Sequence, residues 1–153
     1  MNARPRFGPE TPRPPMKLAA SKLWLGLPFL LVFLIDAGIT LANQPGDYWA
    51  GDHRIHNEMF ALFAWGLAHG PWAFVLVCAA WLLVCGALIL VLPRLLSKIL
   101  SLSLVSGHTW GAMTWLVYQL DLNYLVCLLF FVFSAAVFIL SLRKSKPVHP
   151  QTS

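Results

Sequence analysis

Four unbroken apolar blocks, each about as long as a bilayer is thick, constrain this chain more than any other feature. LWLGLPFLLVFLIDAGITLA covers 23–42, WAFVLVCAAWLLVCGALILVL 72–92, ILSLSLVSGHTWGAMTWLVY 99–118 and YLVCLLFFVFSAAVFILSL 124–142. At the helical rise per residue, roughly 20 apolar residues cross the hydrocarbon layer. The blocks run on without the helical or strand spacing that a half-buried element shows. Composition agrees, with 58% of the chain apolar and 11% charged, against roughly 45–50% and 25% in soluble domains. The prediction is an all-α fold, a four-helix transmembrane bundle.

Charge sets the expected orientation. Of the 11 Lys and Arg residues, all but Arg54 fall before the first block, between the second and third, or after the fourth. The positive-inside rule then puts both termini in the cytoplasm and the 43–71 and 119–123 connections outside. Tyr48, Trp49, Trp65, Trp72, Trp115, Tyr118 and Tyr124 gather near the outer interface, as aromatic belts do. The expected location is the bacterial cytoplasmic membrane. A cleaved leader is the alternative, since Thr40-Leu41-Ala42 resembles a processing site. Against it, the first block is longer than a leader's apolar region and carries Asp36.

Residues 1–22 alternate proline with arginine, a composition that reads as a disordered cytoplasmic tail in contact with anionic lipid. Residues 143–153 read as a second, shorter basic tail. The region between them, 23–142, is the membrane domain. In the first outer connection, MFALFAWGLA (59–68) is too short to span, and Gly70-Pro71 marks a helix stop followed by a start. A short interfacial or re-entrant helix is expected over 53–68, capped by Asp52. On such a helix His53, His56 and Asn57 share a face, and Arg54 pairs with Glu58 at i, i+4.

The polar groups inside the blocks are the candidates for function. An acid within a span costs roughly 2.5–3.5 kcal/mol to insert, so Asp36 should face the bundle or water. Thr40 and Asn43 follow on the same helical face. In the third block Ser103, Gly107 and Gly111 recur every four residues, a face that lets helices approach closely. His108 lies beside it at the depth of Asp36, which makes Asp36 its expected partner, directly or through water. Small residues of the second block (Cys78, Ala79, Cys85, Gly86) would complete a tight centre. The expected outward-facing polar cavity is walled by Asp36, Thr40, Asn43, His56, Asn57, Glu58, His108 and Gln119. The alternative role for each group is structural glue between helices.

Few chemistries fit. A divalent metal at His53, His56 and Glu58 is the one cofactor these residues suggest, but their spacing is not that of a metalloprotease helix. Cys78, Cys85 and Cys127 sit in apolar surroundings that make poor nucleophiles. No phosphate-cradling glycine loop, nucleophile elbow or basic–aromatic ladder occurs, which leaves nucleic acid without a binding feature.

Asp36 with Thr40, Gln44-Pro45, Tyr48-Trp49, Asn57-Glu58 and His108-Thr109, in that order over roughly residues 30–120, resembles small uncharacterised four-span bacterial membrane proteins. That resemblance implies the four-span fold and no activity. No reacting constellation is complete, so the reading leans away from an enzyme. The expected function is a small accessory or scaffold protein with structural polar contacts, in the lipid bilayer with a membrane-protein partner or a second copy. The alternative is a protein that handles a ligand, a proton or a metal, including hydrolysis, in an outward-facing cavity.

Overall fold

A computed structural model describes residues 15–118 and 124–145 of the chain, with side chains over 21–117 and 124–145. The described residues form helices and no strands: α1 Pro15–Ala42, α2 Gly46–Trp49, α3 Ala61–Ala68, α4 Pro71–Val91, α5 Arg94–Tyr118 and α6 Tyr124–Lys144. Three segments are long and apolar enough to cross a membrane: Ser21–Ala42, Pro71–Val91 and Tyr124–Lys144. Their most apolar windows are only 33%, 28% and 22% buried within the protein, so most of each helix turns its side chains outward, as lipid-facing helices do. On α4, Leu76, Leu83 and Val91 are largely exposed on the outside of the bundle.

α1 is the hub. It packs most extensively along α5 and also touches α6 and α4, while α3 folds back on α4. Leu25, Phe29, Val32 and Phe33 of α1 are buried in a core completed by Phe74, Cys78, Cys85 and Ile89 of α4, Val105 of α5 and Phe138 of α6. The tight centre is thus α1 against α5, in place of the expected pairing of small faces on the second and third blocks. Ala79 is exposed, and a Cβ added at Gly86 or Gly107 would meet nothing within 4 Å. The bulky α1 side chains occupy the middle that those small residues would otherwise have closed.

Several boundaries differ from the sequence reading. α1 begins at Pro15, so residues 15–22 of the expected disordered tail are helical. Proline lacks an N–H that the first helical turn does not need, and the Met-Lys-Leu-Ala-Ala run after it favours helix. Residues 1–14 and 146–153 of the two tails lie outside the described residues. Arg143 and Lys144 belong to the last turn of α6, where positive charge suits the helix dipole.

The outer helix is shorter than 53–68. It starts at Ala61 with Phe60 as N-cap, and the preceding 50–60 is irregular apart from turns. Asp52 caps no helix; its carboxylate accepts from Arg54 N and Nε at 3.3 and 3.2 Å. Arg54 therefore pairs with Asp52, two residues back, and not with Glu58. Without helix at 53–58 the shared His53–His56–Asn57 face does not form. The α3–α4 hairpin closes at Gly70, whose φ of +103° suits glycine. Pro71 follows at the first turn of α4. Gly66 makes the hairpin tight, since a Cβ there would stand 3.0 Å from Phe74 Cα.

Polar groups lock the bundle end that carries most of the basic residues. Lys22 Nζ donates to Leu90 O and Leu92 O, both at 2.7 Å, capping the open carbonyls of α4. Ser97 Oγ donates to Ile89 O at 2.8 Å, and Ser101 Oγ donates to Leu25 O across the α1–α5 interface. Both serines are fully buried.

Candidate functional site

Asp36 sits on α1 about 9 Å below that helix's C-terminal end, at 1.5 Å per residue. Its Oδ2 lies 2.8 Å from His108 Nδ1 on α5. The side chains are 16% and 13% exposed, so the contact is sheltered without being sealed. It forms because α1 and α5 run together and because Gly111, one turn after His108, has no side chain. A Cβ at Gly111 would fall 2.9 Å from Asp36 Oδ1 and 3.0 Å from Oδ2. Of the small residues spaced along α5, Gly111 alone makes the close approach; Gly107 and Ser103 face open space beside it.

Aromatic rings hold the imidazole. Phe33 meets it edge-on at 4.8 Å between centroids, Phe29 lies at 5.7 Å and Phe63 of α3 at 6.4 Å. Phe63 in turn contacts Phe60, Phe74 and Trp81. The α3–α4 hairpin thus reaches the pair through a chain of tilted and edge-on ring contacts.

Above the pair opens a cavity of about 910 Å³, within the size range of small-molecule sites. Asp36, Thr40, His56, Asn57, Glu58 and His108 line it, with Phe60, Phe63, Trp81, Trp110 and Trp115 as its apolar wall. Most of the expected polar set is therefore brought together. Asn43 is not. Its Nδ2 donates to Ile39 O at 2.9 Å, turning the side chain back onto the last turn of α1. Gln119 lies outside the described residues.

The irregular stretch is pinned over this cavity by Gln44, which the sequence reading named beside Pro45 but did not place in the cavity. Gln44 Oε1 accepts from Asn57 N at 2.9 Å, and its Nε2 donates to Thr40 O at 2.7 Å. The buried amide thus ties the end of α1 to the loop that carries Glu58. Glu58 Oε1 accepts from Phe60 N at 2.8 Å. Burial pushes the Glu58 carboxyl above its ordinary range, and the nearby Asp36 charge adds to this, against the opposing pull of that hydrogen bond. His56 Nδ1 and Trp81 Nε1 are buried with no hydrogen-bond partner among the described residues.

The candidate metal ligands do not converge. Among the described residues no group of three His, Cys, Asp or Glu side chains is placed to hold a metal ion. His53 lies instead against Tyr48, at 5.0 Å between ring centroids, and against Gly70. The three cysteines are buried and unpaired with one another.

Comparison with protein-family models, curated proteins and solved structures finds no match to this chain.

Proposed function

We propose that the protein is a multi-pass integral membrane protein of four spans that binds a small molecule in an intramembrane cavity open to the outer face. The observation that carries this reading is the Asp36–His108 pair, 2.8 Å apart, in the wall of a cavity that also gathers Glu58 and His56. An acid and a histidine within a span are costly to keep unless something there uses them.

α5 serves as the fourth span. Its 25 residues extend about 38 Å at the helical rise, longer than the hydrocarbon layer. Its lower apolarity comes from Arg94 and Lys98 in its first two turns and from its serines, threonines and His108, of which Ser97, Ser101 and His108 are bonded inside the bundle. The distribution of Lys and Arg supports cytoplasmic termini, with the cavity on the opposite side in a bacterial cytoplasmic membrane. The resemblance to small four-span bacterial membrane proteins accords with this topology.

A second reading keeps a specific observation of its own. Asp36–His108 also bridges the most extensive helix contact, α1 with α5, as structural glue in an accessory or scaffold protein would. A thermal-shift screen of chemically diverse small molecules on detergent-purified protein separates the two. Ligand binding predicts saturable stabilisation by some compounds, lost in a folded Asp36→Asn protein. Glue predicts no stabilising compound, in the parent or in either variant, Asp36→Asn or His108→Ala.

A further inference from the structure

We propose that the cavity takes an amphipathic organic monocation, a hydrophobic amine or quaternary ammonium, with its charged head between Asp36 and Glu58 and its apolar body against the aromatic wall. The proposal deepens the ligand-binding reading above and rests on it. Charge is the first argument. The lining contains two carboxylates and two histidines but no Lys or Arg. Arg54, the basic residue of the same loop, turns away to Asp52 with its side chain 88% exposed. An anion entering this space would meet both carboxylates with no fixed positive charge to offset them.

Incomplete neutralisation is the second argument. His108 engages Asp36 at Oδ2 and Phe60 N engages Glu58 at Oε1. Glu58 is also approached by its neighbour's amide, Met59 N, so the two carboxylates are met by one imidazole and two backbone amides, and no cationic side chain of the lining neutralises Glu58. A carboxylate in a sheltered site is stabilised by an opposite charge nearby. Burial and mutual repulsion already press on Glu58, and a cation between the two acids relieves both.

The wall is the third. Phe60, Phe63, Trp81, Trp110 and Trp115 line the same space, and the faces of such rings attract cations, Trp most strongly. The combination of carboxylate, aromatic rings and moderate volume selects a ligand with one delocalised or shielded positive charge and a hydrocarbon body. A small inorganic cation would leave the rings unused.

Two probes of nearly equal size and opposite charge test this directly: radiolabelled tetraphenylphosphonium and tetraphenylborate, bound at equilibrium to the full chain in mild detergent. The expected result is saturable phosphonium binding, competed by a hydrophobic quaternary ammonium, with little saturable borate binding. Asp36→Asn and Glu58→Gln should each weaken phosphonium binding about tenfold or more, the scale of one sheltered charge. Glu58→Gln keeps an acceptor for Phe60 N, so it is the variant expected to stay folded. Equal or tighter borate binding would overturn the cation class while leaving a ligand cavity in place. Saturable binding of neither probe would overturn the cation inference, and the small-molecule screen then decides the broader reading separately. Phosphonium binding unchanged in both variants would also overturn it.

Discussion

Asp36 and His108 meet at 2.8 Å at the level of Gly111, where a side chain would stand 2.9 Å from the carboxylate. The pair therefore depends on a missing Cβ as much as on its own two residues. Gly111→Ala should push Asp36 off His108 and cost about 1–3 kcal/mol, the usual range for overpacking, partly offset by alanine's better helix propensity. Gly107→Ala has open space for its methyl and should not lower the melting temperature. Thermal melts of the two variants side by side check the contrast.

Removing the imidazole leaves a sheltered carboxylate without its partner. His108→Ala should cost on the order of 1–3 kcal/mol, the desolvation penalty of an unsatisfied buried group. In the Asp36→Asn, His108→Ala double variant the loss should be smaller than the sum of the single losses. A double-mutant cycle by denaturant unfolding in detergent reads that coupling, and additive losses would mean the 2.8 Å contact contributes nothing.

Lys22 predicts a stability effect far from the cavity. Lys22→Met removes the donors that cap Leu90 O and Leu92 O and should cost about 1–2 kcal/mol. Arg54→Ala, at a solvent-exposed pair with Asp52, should leave the melting temperature unchanged. Amide exchange should rise near the C-terminal turn of α4 in the first variant only.

The apolar blocks made the helices legible, and depth alone paired Asp36 with His108. The same sequence did not disclose what ties the helices together at their ends. Lys22, Ser97, Ser101 and Gln44 bond to backbone carbonyls or amides, and a backbone acceptor leaves no mark in a side-chain pattern. The 50–60 stretch misled for another reason. Its His-x-x-His spacing fits a helix, but Gln44 and Phe60 engage Asn57 N and the Glu58 carboxylate in an irregular stretch. The aromatic cage of Phe29, Phe33 and Phe63 around His108 draws on separate elements and exists only once they pack.

Glu58 gives a pH signature. Its folded-state carboxyl holds a proton that the unfolded chain releases, because burial raises it above 4.5. Between that ordinary value and the raised one the folded state binds more protons, so stability falls as pH rises through the window. Glu58→Gln, which keeps the Phe60 N acceptor, should therefore melt higher than the parent at neutral pH. The difference should vanish below pH 4.5. Melts across pH 4 to 8 test the sign, and a variant that melts lower at neutral pH contradicts it.

Thiol accessibility from one side of the membrane tests the central claim, an aqueous cavity beside Asp36–His108 that opens outward. In a background with Cys78, Cys85 and Cys127 replaced by alanine, Ser103→Cys and Gly107→Cys place thiols on the cavity wall, while Leu83→Cys faces lipid at 75% exposure. A membrane-impermeant maleimide applied to right-side-out vesicles should modify the two cavity thiols and spare the one at position 83. No labelling of either cavity thiol, or labelling only in inside-out vesicles, would contradict the account.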